Sequence, residues 1–261
     1  MSERDKPLVT ICCMTYNHGS YIDQCLAGFV KQQTDFSFEI IVHDDASTDN
    51  TVQVIRSYEL SYPEIFRCIY QSKNQFLKKH IMLDIILPKA RGNYIALCEG
   101  DDYWTDSSKL QKQVDFLKSN KDYSLVYHNV HTNRDSSFSF QNQSNHTFDL
   151  NNSLRVKQGA TLTMLFRNDK GTNYFPRFLR KMISTDWGLE IILLTLGRGY
   201  YMKEPMGFYR NHESGITKES DFIRKANKAK WYFILRMIFW SPKHMASFLK
   251  FLYKNRAWVK Y

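Results

Sequence analysis

Asn93-Tyr94-Ile95-Ala96-Leu97-Cys98-Glu99-Gly100-Asp101-Asp102-Tyr103-Trp104 is the stretch whose reading decides the fold. It begins as a short apolar run, opened by Arg91-Gly92, and reads as a buried strand. It ends in a cluster of acids: Glu99, Asp101 and Asp102 fall within four positions. Carboxylates that close repel and raise each other's pKa, so something must offset them. A divalent cation would do so. Hard cations such as Mg²⁺ or Mn²⁺ take oxygen ligands and often bring phosphates with them. In open α/β sheets, ligands sit at the carboxyl ends of strands. The stretch therefore points to a metal–phosphate site at a strand end. A solvated acidic turn capping the next helix is the competing reading.

Upstream, Leu8–Met14 is β-branched and apolar, a first buried strand, and Thr15–Ser20 is a turn. Helical spacing follows in Ile22, Cys25, Leu26, Phe29 and Val30, with Ser20 as a candidate cap. Glu39–His43 is a second strand ending in Asp44-Asp45. Ser47 or Asp49 can cap a helix over about Asn50–Tyr62, stopped by Pro63. Phe66–Gln71 is a third strand, and Lys78–Ala90 a helix kinked at Pro88. Downstream, Asp106 or Ser107 caps a helix from Lys109 to Ser119, and Ser124–His131 is another strand. Such alternation predicts a doubly wound, mostly parallel α/β sheet flanked by helices. The polar segment Asp135–Ser153 breaks it and reads as a surface loop. Ala160–Arg167 reads as a strand, Phe175–Ile183 as amphipathic, and Asp186–Leu196 as an apolar helix. Tyr200–Met202 and Gly207–Tyr209 are expected as short strands, with a helical pattern from Ile216 onward.

At 261 residues the chain can bury a sizeable core. No secretory signal or membrane-spanning run is visible, so a cytoplasmic protein is expected. Five cysteines without a CxxC read as reduced, buried thiols. The three glycosylation sequons, at Asn142, Asn145 and Asn151, read as composition. The net charge of +10 is concentrated: residues 222–261 hold ten Lys/Arg and no acid. Asp44, Asp49 and Asp106 suit turns and caps, and His128 and His131 suit structural roles in a strand.

Carboxylates thus end two strands, Asp44/Asp45 and Glu99/Asp101/Asp102, and Thr15-Tyr16-Asn17 ends a third. The segments Pro7–Asn17, Ile41–Thr51, Ala90–Trp104, Lys109–Leu117, Thr185–Trp187 and Tyr209–His212, taken in order, resemble a family 2 glycosyltransferase of the GT-A fold. The resemblance covers roughly residues 7–212. It implies inverting transfer from a nucleotide-diphosphate sugar, UDP- or dTDP-linked, to a saccharide or lipid-linked acceptor in surface-polysaccharide synthesis, with Mn²⁺ or Mg²⁺ as cofactor. Thr15, Tyr16 and Asn17 match the loop that lines the nucleotide, and Asp45 the acid that contacts base or ribose. Glu99-Gly100-Asp101 matches the Asp-x-Asp metal motif, departing from it at Glu99. Asp101 is the expected direct ligand, Asp102 stands beside it, and His212 matches a histidine that completes the metal's coordination or touches the diphosphate. Asp186 matches the catalytic base. Trp104 and Trp187 are expected to flank the acceptor cleft, where aromatic faces stack on sugars, or to serve the core. Arg210 can pair with the diphosphate or with a neighbouring acid. The alternatives are a nucleotide-sugar-binding or scaffolding protein without turnover, and a sugar-phosphate nucleotidyltransferase. The latter would want more glycine than Thr15–Ser20 holds.

The expected organisation is a domain over 1–215, with a nucleotide-sugar half at 1–105 and an acceptor half at 106–215, followed by a basic, aromatic helical extension at 216–261. Interleaved Lys/Arg and aromatics there suit the inner face of a membrane, or docking on the domain. Nothing resembles a nucleic-acid module.

Overall fold

The structure is a computed structural model. It describes residues 6–76, 78, 80–133, 144–168, 174–182, 185–212 and 220–256, with side chains from 225 onward in the last segment. The expected boundary at 215/216, the sequon at Asn142, residues 135–143 of the polar loop, Ile183, Trp258 and Lys260 lie outside the described residues.

Four strands form the first half of the sheet: β1 (Val9–Thr15), β2 (Phe38–Asp44), β3 (Phe66–Tyr70) and β4 (Tyr94–Leu97). They run parallel in the order β3-β2-β1-β4. β1 is continuous and apolar because both its faces are covered. Val9, Ile11 and Cys13 point into one apolar cluster, with α1 (Ile22–Val30) and α3 (Lys109–Ser119). Cys12 points into the other cluster, on the opposite face. On α1 the buried residues Ile22, Cys25, Leu26 and Phe29 follow the helical spacing read from sequence. The helix α2 (Thr51–Ser61) begins where Asp49 Oδ1 accepts from Thr51 N at 3.0 Å. Ser20 makes no cap. The first turn of α1 is held instead by His18 O, which accepts from Tyr21 N and Ile22 N.

Beyond β4 the sheet is mixed rather than parallel. β8 (Leu165–Arg167) lies antiparallel between β4 and β6 (Tyr123–Thr132), and β9 (Arg198–Tyr209) runs parallel to β6. The short strands β5 (Tyr103–Trp104) and β7 (His146–Phe148) pair antiparallel with β9. The two short strands expected near its end are one twelve-residue strand. The helix expected over 78–90 is a π-turn, Ile81–Ile86, and a 3₁₀ turn, Leu87–Lys89, because Pro88 withholds an amide. The segment 160–167 is a strand only at its end, after a 3₁₀ turn at Thr161–Thr163. The described part of the polar loop holds β7 and the start of α4 (Leu150–Arg155).

The last helices, α6 (Ser220–Trp240) and α7 (Met245–Lys254), pack onto the sheet face that carries α5 (Thr185–Leu193). Phe233, Ile234, Met237 and Phe248 are at most 3 % exposed. Burial of each such side chain stabilises by about 1.5–3 kcal/mol. The extension is therefore docked on the domain. Its basic and aromatic outer face is exposed, with Phe239 84 % exposed.

Candidate active site

The register of the parallel strands sets the site. Thr15 pairs with Asp44 and Cys12 with Leu97, so the loops after β1, β2 and β4 leave one edge of the sheet together. Asn17 takes φ 53°, a left-handed conformation that asparagine tolerates. That turn lets its amide donate to Ser47 Oγ at 2.8 Å, while its Oδ1 accepts from Thr48 N at 2.8 Å. The first two loops are thereby laced together. Thr15 is buried and Tyr16 is exposed on the same edge. Asp45 lies beside them, but Oδ1 accepts from Gln75 N at 2.8 Å and Oδ2 from Phe76 N at 3.2 Å. Its carboxylate holds the loop after β3 in place. Asp44 braces its own turn through Ser47.

The acidic loop is packed too tightly for any residue but glycine at position 100. A Cβ there would meet Thr15 Cβ, Ile22 Cδ1 and His18 Nδ1, each at 2.9 Å. Asp101 points outward, with Oδ2 2.9 Å from His212 Nε2 and 3.9 Å from His18 Nε2. One carboxylate oxygen and one imidazole nitrogen side by side suit Mn²⁺ or Mg²⁺ whose remaining positions are filled by phosphate and water oxygens. The three-ligand set expected from sequence is not assembled. Among the described residues no three His, Cys, Asp or Glu side chains stand ready as a metal site. Glu99 instead sits between the two acidic centres. Burial, then Asp101, then Asp186 push its carboxyl up to about 8, and Lys157 partly offsets them.

Asp102 does not face the cleft. It is 3 % exposed, and its Oδ1 accepts from Arg210 N at 2.8 Å. Burial first, then Asp101 and Glu99, hold its carboxyl well above the usual range. Arg210 grips backbone and amide oxygens of the acidic loop and α1, and among the described residues its guanidinium pairs with neither acid side chain. Its Nη1 donates to Asp101 O at 2.7 Å and Nη2 to Gln24, and its guanidinium lies 5.0 Å from the centre of the Tyr21 ring and 4.6 Å from that of Tyr103. It clamps the acidic loop. Trp104 and Trp187 are core residues, 3 % and 4 % exposed. Their indole N–H groups donate to Leu162 O and Ser153 O, each at 2.9 Å. Edge-satisfied, buried indoles have no face left for a sugar.

Asp186, the second residue of α5, is paired with Lys157 Nζ. Its Oδ1 accepts from Trp187 N at 2.9 Å, and Thr161 Oγ1 lies 3.5 Å from Oδ2. Burial would raise the carboxyl, but Lys157 more than offsets it and holds Asp186 below the usual carboxylate range. Glu190, one turn on, accepts from Tyr127 OH at 2.9 Å, and burial pushes it up to about 7.

The sequence profile of glycosyl transferase family 2 matches residues 10–184. The chain belongs to this family. An uncharacterised Mycobacterium tuberculosis protein is 34% identical over 215 residues, covering 80% of this chain and 60% of that one. The glycosyltransferase-family chain thus spans less than two thirds of that relative's length. Staphylococcus aureus TarS (residues 1–349), solved with UDP-GlcNAc, superposes with a TM-score of 0.68 at 17% identity, over 94% of this chain and 72% of that one. A Pyrobaculum calidifontis mannosyltransferase, PcManGT, solved with GDP-Man and Mn²⁺, gives 0.60 at 17% identity, over 97% and 76%. These likenesses establish the GT-A fold for this family 2 chain. Among its described residues no helix is long and apolar enough to cross a membrane.

Sequence reasoning missed Lys157, Glu190 and His18. His18 lay in view within the first turn and contributes a second imidazole beside Asp101. Lys157 sits in an aperiodic connection, where no pattern marks it.

Proposed function

We propose that the chain transfers a sugar from a nucleotide-diphosphate sugar to a saccharide or lipid-linked acceptor of surface-polysaccharide synthesis, inverting the anomeric centre. The donor's nucleotide lies along the loops after β1 and β2, and its diphosphate reaches Asp101 and His212. A divalent cation bound there, Mn²⁺ or Mg²⁺, would neutralise charge on the departing diphosphate. The observation that carries the reading is the placement of Asp186: a carboxylate held ionised by Lys157 and within electrostatic reach of Glu99, which also feels Asp101.

The chemistry follows from those side chains. The acceptor hydroxyl must lose its proton as it attacks, and a carboxylate within hydrogen-bond reach takes it. Lys157 keeps Asp186 unprotonated and, with Trp187 N, fixes the direction its oxygens face. One base suffices for a single displacement from the opposite face. Arg210 and Asp102 hold the acidic loop rigid, so the diphosphate meets a preorganised edge.

The test is a thermal-shift panel of UDP-, dTDP- and GDP-sugars with and without Mn²⁺, followed by a donor-turnover assay. We expect one nucleotide class to stabilise the chain only with metal, and slow donor hydrolysis that Asp186→Asn abolishes. Stabilisation without any turnover would favour the binding-protein alternative, and no stabilisation by any nucleotide would remove the transferase reading.

A further inference from the structure

A cavity of about 520 Å³ lies between α4 and α7, apart from the nucleotide-facing edge. Arg155, Lys250 and Lys254 line it, Leu154 and Phe251 lie among them, and no carboxylate takes part. Lys250 and Lys254 stand one turn apart on the same face of α7. Three cations converging without a counter-charge select an anion, and phosphate groups suit arginine and lysine together. The volume lies within the range of ligand sites and exceeds the needs of a single phosphate.

Two neighbours say where the anion comes from. The first is Trp187, which follows Asp186 in the chain. Its ring lies 6.0 Å from that of Phe251, which lines the cavity, and its N–H binds Ser153 O in α4. Arg155 is two residues from Lys157, the partner of Asp186. The cavity thus adjoins the elements that carry Asp186 and its partner. The second neighbour is the outer face of α7. Met245, Leu249 and Tyr253 repeat every four residues and are 46 %, 49 % and 70 % exposed. An apolar stripe beside a cationic pocket is the arrangement of an interfacial helix.

We propose that the α4–α7 cavity binds the diphosphate of a lipid-linked acceptor, with the Met245–Leu249–Tyr253 stripe lying on the lipid surface. The inference rests on the transferase reading for the acceptor's fate, but not for its binding. The full chain should float with phosphatidylcholine vesicles carrying a few mole per cent polyisoprenyl diphosphate. Lys250→Gln/Lys254→Gln should weaken that binding by about 10- to 100-fold, as expected for losing two charge-assisted contacts, and Arg155→Gln by less. Both lysines are exposed, so the variant should keep the wild-type melting temperature. Its affinity for UDP or GDP with Mn²⁺ should also be unchanged.

Equal binding by wild type and double variant would overturn the proposal. So would equal binding to phosphatidylglycerol vesicles of matched charge, which would mean a general anionic surface. Binding of free inorganic pyrophosphate that the lysines control, without any preference for the lipid-borne form, would overturn the lipid assignment. Loss of all nucleotide binding with vesicle binding intact would sink the transferase reading and leave the cavity assignment standing.

Discussion

Around the nucleotide-facing edge, the acidic side chains are held largely by backbone: Asp45 by Gln75 N and Phe76 N, Asp102 by Arg210 N, Asp49 by Gly19 N and Thr51 N. Around Asp186 the key contact is one side-chain ion pair with Lys157, backed by Glu190 and Tyr127. The first region draws its geometry from strand ends and backbone amides. The second depends on single residues from an aperiodic connection and a helix start. On the proposed reading, a donor edge of fixed geometry would stand beside an acceptor edge made of replaceable side chains, so that one fold could keep its donor chemistry while acceptors vary.

The largest effect should come from the side-chain region. Asp186→Asn should lower turnover by about 10²–10⁴-fold, the usual worth of a general base, while calorimetry shows donor affinity unchanged. Near-full turnover with lost donor affinity would move Asp186 to the nucleotide edge and erase the contrast between the regions. On the other side, Asp101→Asn should weaken Mn²⁺ affinity by about 10- to 100-fold, read by Mn²⁺ titration in the presence of UDP. The amide keeps the shape of the loop, and Arg210 grips the Asp101 carbonyl rather than its carboxylate, so the melting temperature should barely change.

Lys157→Met sharpens the comparison further. Lys157 holds Asp186 below the usual carboxylate range against burial that would raise it. Without the lysine, burial is opposed by the smaller pull of Trp187 N and Lys230. The acid limb of the kcat/KM profile should move up by about 1–3 pH units, the scale of an opposite charge at contact. An unmoved limb would mean that Asp186 does not titrate in the reaction. The basic limb should move less, since Lys157 takes no proton from the acceptor.

The same division decides what could be read in the sequence. β1 to β4 and the inward face of α1 announced themselves through apolar runs and helical spacing, and the edge they share follows from parallel pairing alone. The direction of β8 did not, because alternation is the same for parallel and antiparallel partners. Trp104 and Trp187 were ambiguous because an indole serves core and sugar equally well. The partner of its N–H, Leu162 O or Ser153 O, appears only in three dimensions. Asp45 follows the end of β2, as the strand pattern implied, and its oxygens turn to the loop after β3, thirty residues on. Lys157 could not be found because its meaning depends wholly on Asp186, which lies 29 residues away.

The smallest effect on activity should come from a lysine that belongs to neither region. Lys109 opens α3 fully buried, its Nζ 3.7 Å from the centre of the Trp104 ring and without a hydrogen-bond partner. Burial pushes it down to about 7, against an unfolded value near 10.5. Between those values the unfolded chain binds the extra proton, so this residue makes stability rise with pH from about 7 toward 10.5; below 7 its full penalty applies. That penalty is on the order of a few kcal/mol, and the attraction of the ring, up to about 2 kcal/mol, already acts against it. Lys109→Met keeps the length and removes the charge. The melting temperature at pH 7 should rise by roughly 2–4 °C per kcal/mol recovered. The difference in stability between variant and wild type should shrink as pH climbs toward 10.5, because the folded amine is already neutral and the cost of giving up the proton it holds in the unfolded chain falls with each unit of pH. A variant that melts lower, with a pH-independent difference, would mean that the ammonium is satisfied in the fold, where His128 Nε2 is another buried nitrogen without a hydrogen-bond partner and its ring is one that Lys109 helps keep neutral.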